Sequence, residues 1–342
     1  MRHSTFFWFV LPTATAMILF IALPIISVLL QSVHAPHQAV LVEVETCTPL
    51  VGCTVETTMD QEATKALRDA QPLGRFVGLD IFFDRGHLAV NEVKKIINNS
   101  NTWNEIFTQL SNLPFYRAMA FTLTFTFVVT PFVIIFGFFI AIGVNAISSY
   151  FKGLVIFFSL LPFVVTQLIG ALVLFWMIDS RGILGSAVQW IASDPNLSLK
   201  ASTGVMWLSL IIYGIWHAAP FAFVIFYAGL QTLPQDQIEA AKIDGASRYQ
   251  QIRYIVIPHL FPLFTFVALI QLMDNFRVFE PIVGFNASAH AQSLSWFIFN
   301  DLGGETRQLS SAAASSVLTI IGVSILLFPV LFRTWRDFRE RT

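Results

Sequence analysis

Gln271, Asp274 and Asn275 are polar residues in an otherwise apolar run. Their i, i+3, i+4 spacing puts them on one face of a helix. Two amides and a carboxylate on one stripe can hydrogen-bond a polar solute, and polar groups within an apolar span are functional candidates by default. Phe276 and Phe279 follow closely and could stack on such a solute. A plainer reading stays open, in which Asp274 pairs with Arg277 on its own helix and Gln271 bonds a neighbouring helix. Gln167, in another apolar block, is a similar but lonelier case. His217, beside Trp216, reads as a packed histidine. The seven histidines are scattered without metal-ligand spacing, so no metal site is expected. No GxxxxGK[ST] loop occurs, so the chain does not carry its own P-loop ATPase.

The elements that must hold these residues are set by composition. Of 342 residues, 55% are hydrophobic, only 12% are charged and 35 are phenylalanine. A soluble domain carries about 25% charge, so this chain belongs in a bilayer. A net charge of −1 argues against a nucleic-acid partner. Residues 6–30 form an apolar run long enough to cross a core that needs about 20 residues. Val33-His34-Ala35 has the look of a cleavage site. The run before it, however, exceeds the 7–15 residues (roughly) of a signal-peptide core, so a retained first helix is expected. Further apolar blocks at 118–147, 153–178, 204–230, 258–280 and 311–332 bring the expected spans to six. Pro131, Pro162, Pro220 and Pro329 mark kinks within them, because neighbouring helices can satisfy the freed carbonyls.

Residues 31–115 are the only sizeable polar region, with ten acidic and six basic residues. Leu41-Val42-Glu43-Val44-Glu45 alternates like a strand. Cys47 and Cys53 flank turn residues, an arrangement that suits a disulfide on an oxidising side and only weakly a zinc site. Met59 to Leu113 is expected to form helical segments. Arg2, Lys152, Lys242, Arg248, Arg253, Arg333, Arg336, Arg339 and Arg341 all fall on one side of a six-span chain. The positive-inside rule makes that side cytoplasmic, with both termini there and 31–115 outside.

The longest polar interval between spans in the second half runs from Leu233 to Pro262. Pro234 stands near the start of a helical run. Ile238, Ala241 and Lys242 share a face, and Glu239 can pair with Lys242 at i, i+3. Gly245 interrupts the run. Ser247-x-x-Gln250 reads as the capping box of a second short helix, and Pro258 opens the next apolar segment.

Glu239-Ala240-Ala241, then Gly245, then Ile257-Pro258 resemble the EAA loop of the membrane subunits of binding-protein-dependent ABC importers. Ile243-Asp244-Gly245-Ala246-Ser247 looks most like the carbohydrate-uptake, maltose-type branch. Leu160-Leu161-Pro162 to Trp176, Arg181 to Gly185, Trp216 with Pro220, Ala228 to Pro234, and Phe276 to Glu280 extend the resemblance over about residues 75–335. It departs at Gly284-Phe285-Asn286-Ala287-Ser288, where the family usually has Thr-Gly-Gly-Gly-Pro.

The resemblance implies an all-α integral membrane protein with six transmembrane helices of the type I ABC-importer permease fold and a small extracytoplasmic insert after the first helix. It divides the chain into 1–30, the insert at 31–115, a core at 116–335 with its coupling loop at 233–257, and a tail at 336–342. Glu239, Ala240, Ala241, Asp244, Gly245 and Pro258 would couple the chain to an ATPase, with Gly245 as the elbow. The expected partners are a second permease, two ATPase subunits that use ATP and Mg, an extracytoplasmic sugar-binding protein and the lipid bilayer of a bacterial inner membrane. A sugar, polyol or glycoside is the expected cargo. Glycerol phosphate, a polyamine or a secondary transporter are the alternatives; a secondary transporter would usually show repeated halves, and no obvious repeat is present.

Overall fold

The computed structural model describes residues 3–37, 40–48, 52–100, 102–194, 197–303 and 308–339. The chain forms two compact units, one of residues 1–116 with 297–320 and one of 117–296 with 321–342. These units cut the chain differently from a division at 31–115 and 116–335.

In the first unit, α1 (His3–Met17) runs through a π turn (Ile18–Ala22) into α2 (Leu23–Gln31). The Leu23 N–H reaches back to Ile18 O, and Pro24 follows. A proline cannot donate and its ring crowds the carbonyl four residues back, so a widened turn just before it relieves the clash. β1 (His34–Ala35) pairs with β4 (Arg75–Phe76), and β2 (Leu41–Thr48) pairs antiparallel with β3 (Gly52–Met59). The register places Cys47 opposite Cys53. Their side chains, and the turn at 49–51, lie outside the described residues.

Four helices follow: α3 (Gln61–Ala70), α4 (Asp80–Phe83), α5 (Val90–Asn99) and α6 (Trp103–Ser111). Asp60 caps α3 by accepting from the N–H groups of Glu62 and Ala63. The core here is small: Phe82, Ala89, Leu113, Phe115 and Ala312 to Ala314 are buried. Tyr116 Oη donates to Leu88 O at 2.9 Å, and His87 Nε2 bonds Ser311 O at 3.0 Å.

The second unit is built on α7 (Pro114–Ala146), α8 (Ser149–Val164), α9 (Gln167–Met177), α10 (Ile183–Ala192), α11 (Thr203–Gln231), α12 (Gln235–Ile243), α13 (Arg248–Gln251), α14 (Ile257–Phe276) and α15 (Glu280–Gly284). Then come α16 (Leu294–Gly303) and α17 (Leu309–Arg339). Among the described residues, five helices are long and apolar enough to span a membrane, and a sixth span is formed if the bent pair α8–α9 counts as one.

That pair corrects the expected continuous block at 153–178. The axis turns by 92° at the break after Val164, two residues past Pro162. Pro131, Pro220 and Pro329, by contrast, sit inside unbroken helices. α17 continues into the Arg-rich tail as far as Arg339.

Lipid tails are as apolar as the side chains, so these helices associate by fit more than by hydrophobic driving force. Phe138, Phe226 and Phe264, from α7, α11 and α14, meet with ring centroids 4.5–5.8 Å apart. A Cβ at Gly137 would lie 2.5 Å from Ala222 Cβ and 2.8 Å from Phe223 N. Only glycine lets α7 and α11 approach this closely. Phe127, Phe132, Phe136, Phe139, Phe157 and Phe158 face outward, as residues exposed to lipid should.

Candidate functional site

Two places gather the residues singled out above, and both lie within the second unit. The first is the loop after α11. Pro234 precedes α12 with an extended backbone, and the helix ends at Gly245, whose φ of +79° puts it in the left-handed region. Ala246 N–H bonds Ala241 O at 2.9 Å and Gly245 N–H bonds Lys242 O at 3.1 Å. This is the Schellman closure, which satisfies the last carbonyls of α12 and fixes the exit angle.

Ser247 then accepts from Gln250 N–H while the Gln250 side chain accepts from Ser247 N–H, a complete capping box. The capped helix is not a short one, however. α13, a π turn (Ile252–Val256) and α14 form one continuous 29-residue helix from Arg248 to Phe276. Pro258 therefore lies inside it rather than opening it. Ile257 N–H bonds Ile252 O across the widened turn just before this proline, the same solution as at Pro24.

Ile238 and Ala241 lie on the inner side of α12, with Ile238 packed on the core. Glu239, Ala240 and Asp244 are exposed. The Glu239–Lys242 pair does not form: among the described residues the ion pairs are Arg85–Glu92, Lys200–Asp179 and Arg277–Asp274. Glu239 is thus held out to solvent. Sequence reasoning passed over the apolar surface beside it. Ile243 is 87% exposed and Tyr249 and Tyr254 about two-thirds exposed. A cleft of about 340 Å³ lies between Ala241, Asp244, Gly245, Gln250 and Tyr254. A lone isoleucine between Lys242 and Asp244 was the available sign.

The second place is a cavity of about 550 Å³ at the far end of α14. It brings together Gln167, Gln271, Asp274 and Asn275, with Arg277 and Glu280 from the turn into α15, His217 from α11 and the rings of Phe125, Phe163 and Phe221. Gln271 and Asn275 are buried. Asn275 Nδ2 donates to Thr130 Oγ1 on α7 at 3.0 Å and lies 3.4 Å from Gln271 Oε1. The neighbouring-helix bond expected of Gln271 is thus made by Asn275.

Arg277 pairs with Asp274 at 3.0 Å, both side chains about half exposed. The Gln167 carbonyl accepts from Tyr213 Oη at 2.6 Å, which fixes the start of α9 and leaves its side chain at the cavity wall. His217 is packed against Tyr213 and Phe163, and its Nε2 bonds Val165 O at 3.1 Å, bridging the break between α8 and α9. It nevertheless reaches the cavity.

Phe276 does not. It is 2% exposed and packs where a Cβ on Gly322 would meet its ring at 2.9 Å. Phe279 does not line the cavity either. The aromatic faces come from α7, α8 and α11 instead. Past α15, Asn286 takes φ +48°, a left-handed position that asparagine tolerates better than most residues.

Membrane-length helices around a polar cavity, with an exposed elbow at the other end of one of them, define a polytopic membrane protein. Residues 106–335 match the model of the binding-protein-dependent transport system inner membrane component family, and the chain belongs to that family. It is 29% identical over 255 residues to the galactooligosaccharides transport system permease protein GanP of Bacillus subtilis, covering 70% of this chain and 59% of that one. It is 29% identical over 170 residues to the trehalose/maltose transport system permease protein MalF of Thermococcus litoralis, covering 48% and 52%. Identity to the sn-glycerol-3-phosphate transport system permease protein UgpA of Pectobacterium atrosepticum is 28%, over 66% of this chain and 78% of that one. A chain in the crystal structure of a bacterial ABC transporter involved in the import of alginate shares the fold, with a TM-score of 0.68 at 19% identity over 98% of this chain and 96% of that one.

Proposed function

We propose that the chain is a membrane-spanning subunit of an ATP-driven importer that moves a sugar or a related polyol or glycoside inward. ATP, with Mg, would be held and hydrolysed by a separate pair of ATPase subunits docked on the α12–α13 elbow. A second permease would complete the path, and an extracytoplasmic binding protein would deliver the solute. Both termini would face the cytoplasm, a reading the distribution of lysine and arginine supports.

The continuity of one rod carries this reading. Arg248 to Phe276 is a single 29-residue helix, about 42 Å long at about 1.5 Å per residue. One end is locked to α12 by Gly245 and the Ser247 capping box. The other end bears Gln271, Asp274 and Asn275 in the cavity. A displacement of the elbow is therefore carried along one continuous helix to the cavity, the kind of element through which two distant sites bias one equilibrium. Names of the GanP and MalF type support a sugar cargo. The test is uptake of a neutral oligosaccharide into proteoliposomes holding the complete assembly. Uptake that needs ATP inside and binding protein outside supports the reading; accumulation without ATP, driven by an ion gradient, refutes it.

A further inference from the structure

The charges on the cavity wall bear on which solutes it admits, an inference that rests on the transport reading above. Four ionisable side chains reach the wall: His217, Asp274, Arg277 and Glu280. Arg277 and Asp274 neutralise each other in their 3.0 Å pair. His217 Nε2 faces the Val165 carbonyl, so that nitrogen carries the proton, and in the neutral ring Nδ1 is an acceptor. Glu280 is left over. It is exposed at the wall, and none of the ion pairs among the described residues includes it. Glu280 is itself the first residue of α15, a five-residue helix whose N-terminal partial charge eases but does not cancel a full negative one. The start of α9 at Gln167 contributes about half a positive charge, and the end of α14 contributes about half a negative one.

The geometry points to a cavity that admits neutral or cationic polyhydroxylated solutes and repels anionic ones, with Glu280 as the discriminating residue. A hydroxyl donates to a carboxylate in a charge-assisted bond. A uronate or a sugar phosphate would instead bring a second negative charge into a partly desolvated space, where like charges repel far more than in water. The alginate and glycerol-3-phosphate systems are named for anionic solutes. The Glu280 wall argues for the other kind here.

The test reads the potential of the cavity directly, with no ATPase, binding protein or identified solute. Ala218 lies on the wall beside His217. In the purified full chain, Ala218→Cys is labelled with a cationic and an anionic methanethiosulfonate of similar size, and the adduct at 218 is read by mass, apart from Cys47 and Cys53. The ratio of the two rates, divided by the same ratio on a small free thiol, cancels any change in the thiol itself. The expected ratio favours the cation and falls by about tenfold in Ala218→Cys with Glu280→Gln, within what one nearby unit charge is worth at a protein surface. Phe221→Cys, on the same wall, provides a second reporter should Ala218→Cys fold poorly. A ratio at or below that of the free thiol, or one that Glu280→Gln leaves unchanged, overturns the proposal. Either result is independent of the uptake assay, so failure of one is not failure of the other.

Discussion

On α14, opposite faces do different work. Gln271 and Asn275 lie about 40° apart around the axis and face the cavity; Phe276, a further 100° or so round, is turned away. Phe276→Ala should therefore act on stability, removing a buried ring beside Gly322 at a cost of about 3–5 kcal/mol. That would show as a lower melting temperature in detergent. Gln167→Ala should act the other way, with melting unchanged and uptake reduced, because among the described residues it is the Gln167 backbone carbonyl, not its side chain, that is hydrogen-bonded. Equal melting losses in both would contradict the assignment. The amide and carboxylate stripe was legible because helical spacing alone fixes it. His217 and Glu280 were not, because their approach depends on how α11 and α15 pack against α14. Phe276 was misplaced by counting sequence proximity as spatial proximity.

Helices here are shaped by their exceptions. Both π turns end just before a proline, Pro24 in one case and Pro258 in the other, whereas Pro131, Pro220 and Pro329 are carried within unbroken helices. The sequence showed the prolines but not the response, which depends on whether the following turn has packing to rejoin. Pro162 illustrates the other outcome, with the helix ending two residues later and turning through 92°. The Ser247 capping box was readable because a cap is a local contact among four residues. The length of the helix it starts was not, because tertiary packing carries it through Pro258. Gly137 sets the closest crossing. Gly137→Ala should cost about 1–3 kcal/mol by overpacking against Ala222, measured as lowered unfolding temperature, whereas Gly143→Ala, on the same helix with open space around it, should change little. A neutral Gly137→Ala would mean the α7–α11 contact is looser than described.

The Cys47–Cys53 register is that of facing positions on paired strands, and a disulfide there would place 31–115 on an oxidising side. A membrane-impermeant maleimide applied to intact cells should then label neither cysteine until a reductant is added, and both afterwards. Labelling only after the membrane is opened would reverse the proposed orientation. The apolar blocks made the spans readable, because bilayer thickness imposes span length. The grouping of 297–320 with 1–116 was not readable, since it depends on long-range contacts such as His87 with Ser311.

In the importer proposed above, the elbow at Gly245 would receive the motor. Apart from its own chain neighbours, no described residue comes within 4 Å of a Cβ built there, and φ is +79°. A side chain at 245 thus strains the closure of α12 and meets only what docks on it. An aspartate also adds negative charge at a helix C-terminus, where it is unfavourable. The most direct measurement is a mild-detergent pull-down of the tagged chain from its native membranes, wild type beside Gly245→Asp, scored for an ATPase subunit. The account predicts recovery with the wild type and a large loss with Gly245→Asp at equal membrane abundance. Undiminished recovery in the variant, or no ATPase with a folded wild type, would contradict it.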